Sequence, residues 1–311
     1  MTSRTEGADF LALRHGIDID TRIQFREKDH VYAWKTVDGE WVNMPRSVSG
    51  ILSDIFPPFN AKKVISNCFD AWNRTGRYKD VMARYNTHEL SRSEAESEIE
   101  REWERGRDKG TQLHAILELH INTRGLKSHV DPCDEFESEL GQFVEWASTQ
   151  PFTPFRTELS VAWTEQDMPV CGGQIDFLGR FEDGTYVMID WKRVNKPLGP
   201  DERMFGTALA PHQHIPNSSY HKYSLQQSFY AEMMMHTHGY DVGDNMFLLR
   251  LHPDCKHAEF VRCINYRATA RKLLQEYSIR DDAESHVVKD ALCSQKQAVS
   301  KRLCNGPKQV S

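Results

Sequence analysis

Apolar positions follow two periods along the chain. Between residues 110 and 147 they recur every three or four. Leu113, Ile116, Leu117 and Ile121 do so in "GTQLHAILELHI", then Phe136, Leu140, Phe143, Val144 and Trp146 in "DEFESELGQFVEWA". This spacing predicts two helices, each with one apolar face. From residue 155 the period shortens. "FRTELSVAW" (155–163), "GQIDFLGRF" (173–181) and "TYVMIDW" (185–191) predict three strands, the last two joined by a tight turn at Asp183-Gly184. Residues 194–218 hold four Pro and two Gly and predict a loop. A helix over "YSLQQSFYAEMMMH" (223–236), strands over "NMFLLRLH" (245–252) and "AEFVRCI" (258–264), and a helix over "YRATARKLLQEYSI" (266–279) follow. Helices, three strands, a helix, strands and a last helix predict an α/β fold around a mixed sheet.

The first hundred residues are less regular. Residues 1–18 predict a loose tail. "HVYAW" (30–34), Asp38-Gly39 and "EWVNM" (40–44) predict a hairpin. In "RSVSGILSDIF" (46–56), Ser47 or Ser49 can cap a helix that Pro57-Pro58 ends. Further helices are expected around 61–73 and over the Glu-rich stretch 91–106. The expected organisation is a flexible tail (1–18), an N-terminal hairpin with a mostly helical cap (19–106), a core (107–282) and a basic flexible tail (283–311).

Composition limits the function classes. The 311 residues are 39% hydrophobic and 27% charged, enough to build a core. No apolar run approaches the roughly 20 residues that cross a bilayer, so no membrane partner is expected. Seven scattered cysteines without close pairs argue against a disulfide framework or a zinc loop, and for a reducing compartment, cytoplasm or nucleus. The N-terminus lacks the pattern of a secretory or transit peptide. The net charge of −6 does not advertise nucleic-acid binding. Charge is nevertheless uneven: residues 192–223 carry five Lys/Arg against two acids, and residues 285–311 five against one. Screening confines charge effects to roughly 10 Å, so a local basic track is compatible with a negative total.

The chemistry concentrates in "GGQIDFLGRFEDGTYVMIDWKR" (172–193). Asp176 interrupts one apolar run, and Asp190 and Lys192 close the next. A carboxylate on an apolar strand costs several kcal/mol unless it is paired or binds a metal. A tight turn lets Asp176 and Asp190 approach, and two close carboxylates repel unless a cation lies between them. A divalent ion suits oxygen ligands. Lys192, two residues after Asp190, points to the same side of its strand. Taken alone, such an Asp-x-Lys is more often a structural ion pair.

In order, the chain presents "GTQLH" ending at His114, then Glu158, "GGQID" ending at Asp176, "IDWK" with Asp190 and Lys192, and Gln226-x-x-x-Tyr230. This series resembles the PD-(D/E)XK nuclease superfamily, in particular its RecB-type exonuclease branch, over about residues 107–265. One departure is Ile175 where the family name places Pro. The resemblance implies a restriction-endonuclease-like core of order αβββαβ and a Mg²⁺- or Mn²⁺-dependent nuclease. It implies His114, Asp176, Asp190 and the Trp191 carbonyl as metal ligands, with Glu158 reaching a second metal or a bound water. Lys192 would position the attacking water, and Gln226 and Tyr230 would brace the site or the scissile strand. Ser47, Arg193, Lys196, Gln226 and Tyr230 are the implied nucleic-acid contacts. Phe56, Phe59, Trp34 and Trp41 can either stack on unpaired bases or pack in the core. The implied partner is DNA, with single strands or ends favoured, in replication, repair or recombination. No P-loop motif occurs, so any helicase would be a separate protein. The alternatives are an RNA endonuclease on the same fold and a non-catalytic nucleic-acid-binding protein.

Overall fold

The computed structural model describes residues 10–126 and 134–279. The N-terminal part contains α1 (Phe10–Arg14), a short 3-10 turn (Asp18–Thr21), and the strands β1 (Ile23–Arg26), β2 (Val31–Lys35) and β3 (Trp41–Asn43). These strands form a small antiparallel sheet in the order β1-β2-β3. Next come β4 (Arg46–Ser47), α2 (Val48–Ile55), α3 (Ala61–Thr75), α4 (Lys79–Asn86) and α5 (Arg92–Arg124). The remainder comprises α6 (Glu137–Ser148), β5 (Thr153–Glu165), β6 (Met168–Arg180), β7 (Tyr186–Lys192), α7 (Ser219–Met233), β8 (Met246–Arg250), β9 (Glu259–Arg262) and α8 (267–279).

β4 to β9 build one mixed six-stranded sheet. β6 is antiparallel to both β5 and β7, β7 runs parallel to β8, and β8 pairs antiparallel with β9. The fold is therefore α/β, with a mixed sheet flanked by helices and a smaller antiparallel sheet beside it. Side chains of β7 alternate between two cores. Met188 packs on one face with α2, α7 and α8, while Val187, Ile189 and Trp191 pack on the other with α5 and α6.

One edge of β6 is shared. β4 pairs with it at Cys171 and Gly172, and β7 only from Phe177 onward, so residues 173–176 have no strand partner there. The split exposes backbone groups in the middle of the sheet, and it is where Asp176 lies. Gly172 and Gly173 are demanded by packing at the same place. A Cβ on Gly172 would lie 2.6 Å from the Tyr32 ring and from Met44 Sδ, and one on Gly173 would overlap the Tyr230 ring.

Several boundaries differ from the sequence reading. Residues 10–18 are not a loose tail: Leu11 is buried where α1 packs on α5 and β5, and its amide donates to Asn122 Oδ1 at 3.1 Å. The two helices expected at 91–106 and from 110 are one 33-residue helix, α5, that runs unbroken across the boundary expected at 106/107. Its start is fixed by a capping box, with Ser91 accepting from the Glu94 amide and Glu94 bonding back to Ser91 N. Residues 46–55 belong to the large sheet and its core, because β4 joins β6 and Val48, Ile51 and Ile55 of α2 are buried there. A separate helical core of Ile65, Phe69, Val81, Met82, Ala95 and Ile99 joins α3, α4 and the first half of α5. The tail expected at 283–311 lies outside the described residues.

Candidate metal centre and its cleft

The strand registers bring three carboxylates together. Pairing of Phe177 with Ile189 and Leu178 with Met188 puts Asp190 opposite Asp176, one step beyond the last backbone pair. Pairing of Thr157 with Phe177 and Leu159 with Ile175 puts Glu158 opposite Asp176 on the other edge. At this point the alternation of faces breaks. Ile175 packs in one core and Phe177, two residues on, in the other. Glu158 carries the break on β5, with φ of 45°, in the left-handed region. A non-glycine residue there costs on the order of 1–3 kcal/mol, which surrounding structure must offset.

α5 crosses this split and supplies His114. Its Nε2 donates to the Trp191 carbonyl at 2.8 Å, and its Nδ1 lies 3.3 Å from Asp176 Oδ2. The same Asp176 oxygen accepts from the Trp191 amide at 3.0 Å. Side chains thus satisfy the Trp191 peptide groups that the divergence of β6 and β7 leaves without a strand partner. One ligand atom each from His114, Glu158 and Asp176 lie within 4.8 Å of one another, a donor set of one imidazole and two carboxylates. Ligands adjacent on an octahedral cation at 2.0–2.1 Å are about 3 Å apart, so the 3.3 Å between His114 Nδ1 and Asp176 Oδ2 fits a small divalent ion, while Nε2 is turned to the Trp191 carbonyl.

Asp190 and Lys192 form a second layer on the α7 side. Lys192 Nζ lies 2.6 Å from Asp190 Oδ2, and both side chains are largely buried. That oxygen has no well-aligned hydrogen bond, so the contact is chiefly electrostatic. Burial raises the Asp190 carboxyl to about 7, with neighbouring Asp176 pushing the same way and Lys192 opposing. Burial acts to lower the Lys192 ammonium, but Asp190 and Asp176 outweigh it and hold the group above its usual range, so it stays charged. Lys192 also sits over the Tyr223 ring, 4.6 Å from its centroid. Asp190, expected among the metal ligands, is not part of the His114–Glu158–Asp176 cluster: its Oδ2 lies on Lys192, while its carboxyl also contacts that of Asp176. The Trp191 carbonyl, also expected as a ligand, is beside the cluster and bonded to His114.

Gln226 and Tyr230 share one face of α7 and are joined by a hydrogen bond from Gln226 Nε2 to Tyr230 Oη at 3.0 Å. The Tyr230 ring is buried over Gly173. Burial raises its hydroxyl pKa well above normal, with Tyr32, Asp190 and Asp176 adding to the effect. This pair supports the carboxylates from beneath.

The centre opens into a cleft of about 1090 Å³ between the α3–α5 layer and the 194–218 loop. His114, Glu158 and Lys192 line it, as do the cations Arg77, Arg107, Arg193, Lys196 and Lys222 against the further acids Glu102 and Glu118. Lys196, one of the expected nucleic-acid contacts, is exposed there. Two expected nucleic-acid contacts are otherwise engaged. Ser47 is the N-cap of α2 and accepts from the Gly50 amide. Arg193 donates from Nε to Glu139 at 2.7 Å, and Glu139 is 1% exposed. Trp34 and Phe56 are buried, whereas Trp41 and Phe59 are exposed. The sequence reading did not single out Lys222, Tyr223 or Glu139. For Glu139 a signal existed: it stands between Phe136 and Leu140 on an apolar helix face.

No family model matches the chain, and no curated protein matches it. Among solved structures, one described as "Crystal structure of SSO0001" is similar at 15% identity with a TM-score of 0.24. The match covers 40% of this chain and half of that one.

Proposed function

We propose that the protein is a divalent-metal-dependent nuclease with a restriction-endonuclease-like core of the PD-(D/E)XK type, acting on DNA. The observation that carries this reading is the convergence of His114, Glu158 and Asp176 at a split in the sheet, with the Asp190–Lys192 pair beside them and a cation-rich cleft in front. His114, Glu158 and Asp176 would hold the ion, here Mg²⁺ or Mn²⁺. Once bound, such an ion supplies Lewis acidity and a water of lowered pKa.

The chain's own residues perform the rest. Lys192 stays protonated and offsets negative charge that develops on the phosphate. Asp190 keeps that ammonium in place, and the Gln226–Tyr230 pair fixes the floor. Lys196 and Lys222 contact backbone phosphates, so binding weakens with salt. The opening of the cleft beside an aromatic layer favours ends or single strands, with an exonuclease or flap-processing role alongside separate helicase or replication proteins.

The test is digestion of end-labelled single- and double-stranded DNA and RNA in Mg²⁺, Mn²⁺ or EDTA. The reading requires cleavage of DNA that EDTA abolishes and Lys192→Ala severely reduces. Metal-independent cleavage, or none of any substrate, would refute it.

A further inference from the structure

The cleft floor is one face of α5. Trp103, Gly106, Arg107, Gly110, Thr111 and His114 line it at helical spacing. Trp103 and His114 are eleven residues apart, roughly 16 Å along the axis. Gly106 and Gly110 lower helix stability relative to alanine. Nothing among the described residues requires them. Neither has a left-handed φ, and a Cβ on either would meet no atom within 4 Å. They keep a stretch of helix bare toward the cleft.

At the end away from His114 stands an aromatic group. Phe59 is 69% exposed, with its ring 6.0 Å from that of Trp103. Trp103 Nε1 donates to Tyr78 Oη at 2.6 Å, which fixes its ring. Arg77 lies over the Trp72 and Tyr78 rings at 5.2 and 5.0 Å and has no carboxylate partner among the described residues. One exposed ring, with half-buried aromatics and a guanidinium without a carboxylate partner beside it, suits a base with an accessible face and the phosphates next to it.

We propose that an unpaired polynucleotide strand runs along the bare face of α5, its backbone close to Gly106 and Gly110 and a base stacked at a subsite formed by Phe59 and Trp103. The inference rests on the nuclease reading and adds the residues that select unpaired strands. Paired bases do not offer their faces, so a duplex gains nothing from the subsite.

The test uses the full chain in EDTA. Fluorescence anisotropy measures binding of a labelled deoxythymidine dodecamer, its uridine counterpart and a blunt duplex, with thermal melting in parallel. Phe59→Ala should weaken single-strand binding by roughly 5- to 140-fold, as expected for one lost stack, and leave duplex binding nearly unchanged. Gly106→Leu should block single-strand binding while melting at or above the wild-type temperature, and Gly106→Ala should melt higher still. The uridine strand should bind within a few-fold of the deoxythymidine strand, since stacking reads base faces. Wild-type binding by both Phe59→Ala and Gly106→Leu would overturn the subsite, as would a lowered melting temperature for Gly106→Ala. If metal-dependent cleavage persists in that case, the nuclease reading survives. A wild-type chain that binds no oligonucleotide in EDTA would also overturn the subsite, and the cleavage assay alone decides the nuclease reading.

Discussion

Glu158 offers a way to measure the cost of building the site separately from its use. Its φ of 45° is in the region where an L side chain is strained and glycine is not. Replacing Glu158 by Ala removes the carboxylate and keeps the strain. Replacing it by Gly removes both. The left-handed conformation costs a non-glycine residue about 1–2 kcal/mol. Glycine's extra freedom in the unfolded chain takes back about 0.5–1 kcal/mol. Glu158→Gly should therefore be about 0.5–1 kcal/mol more stable than Glu158→Ala in urea unfolding with EDTA. Both should lose a second quantity. A ligand at 100 times its dissociation constant stabilises a fold by about 2.7 kcal/mol, so Mn²⁺ should raise the wild-type urea midpoint and barely move either variant. If Gly is less stable than Ala, the strain argument is wrong. If Mn²⁺ stabilises both variants as it does wild type, Glu158 is not a ligand.

Four further outcomes are expected. Lys192→Ala should cut the cleavage rate by about 10²–10³ while calorimetry shows metal binding retained, and near wild-type cleavage would reduce Asp190–Lys192 to a structural ion pair. Arg193→Ala should cost about 3–5 kcal/mol in denaturant unfolding by leaving the Glu139 carboxylate buried without its partner, whereas an exposed structural bystander would cost nothing measurable. Lys196→Ala should leave stability unchanged and reduce the slope of log binding constant against log salt by about 0.7–0.9, and an unchanged slope would remove Lys196 from the interface. His238 has both ring nitrogens buried without a partner, and burial lowers it to about 4, with Arg156 adding to the effect and Asp20 opposing it. The unfolded state then binds the extra proton, so stability present above pH 6.5 is lost as pH falls toward 4, by about 3 kcal/mol at most. His238→Leu should flatten that decline in urea melts across this range, and an identical decline would assign it to other groups.

The element types were legible because periodicity is local. Strands β5 to β7 and the helices on either side follow from spacings within a dozen residues, and Ser47 acts as the cap its position in the sequence suggests. Features that depend on distant partners were not legible. Leu11 looks like a tail residue until α5 and β5 are beside it. The two-residue β4 has no periodicity to read, and only its pairing with β6 makes it a strand. Gly106 and Gly110 resemble a helix break, yet α5 runs through them, held at one end by the small helical core and at the other by the sheet.

The site divides along the same line. Asp176, Asp190 and Lys192 stood out because polar groups interrupt or end apolar runs, and such a local conflict marks a place where something other than packing selected the residue. The division of labour between the two aspartates did not stand out. Nothing in "IDWK" says that Lys192 will take up Asp190, leaving Asp176 to group with Glu158 and His114. That outcome depends on the split of the sheet between β4 and β7, on a left-handed residue in β5, and on a helix crossing behind both. Each involves contacts between segments tens of residues apart. The two carboxylates are adjacent by strand register, yet they differ in chemistry: one is buried with an ammonium, and the other is open to a histidine and a glutamate. A metal titration of Asp176→Asn against Asp190→Asn should show this difference. Asp176→Asn should abolish metal stabilisation. Asp190→Asn should weaken it only through the released Lys192, and excess Mn²⁺ should restore it. Equal losses that Mn²⁺ does not restore would show that both aspartates bind the ion directly.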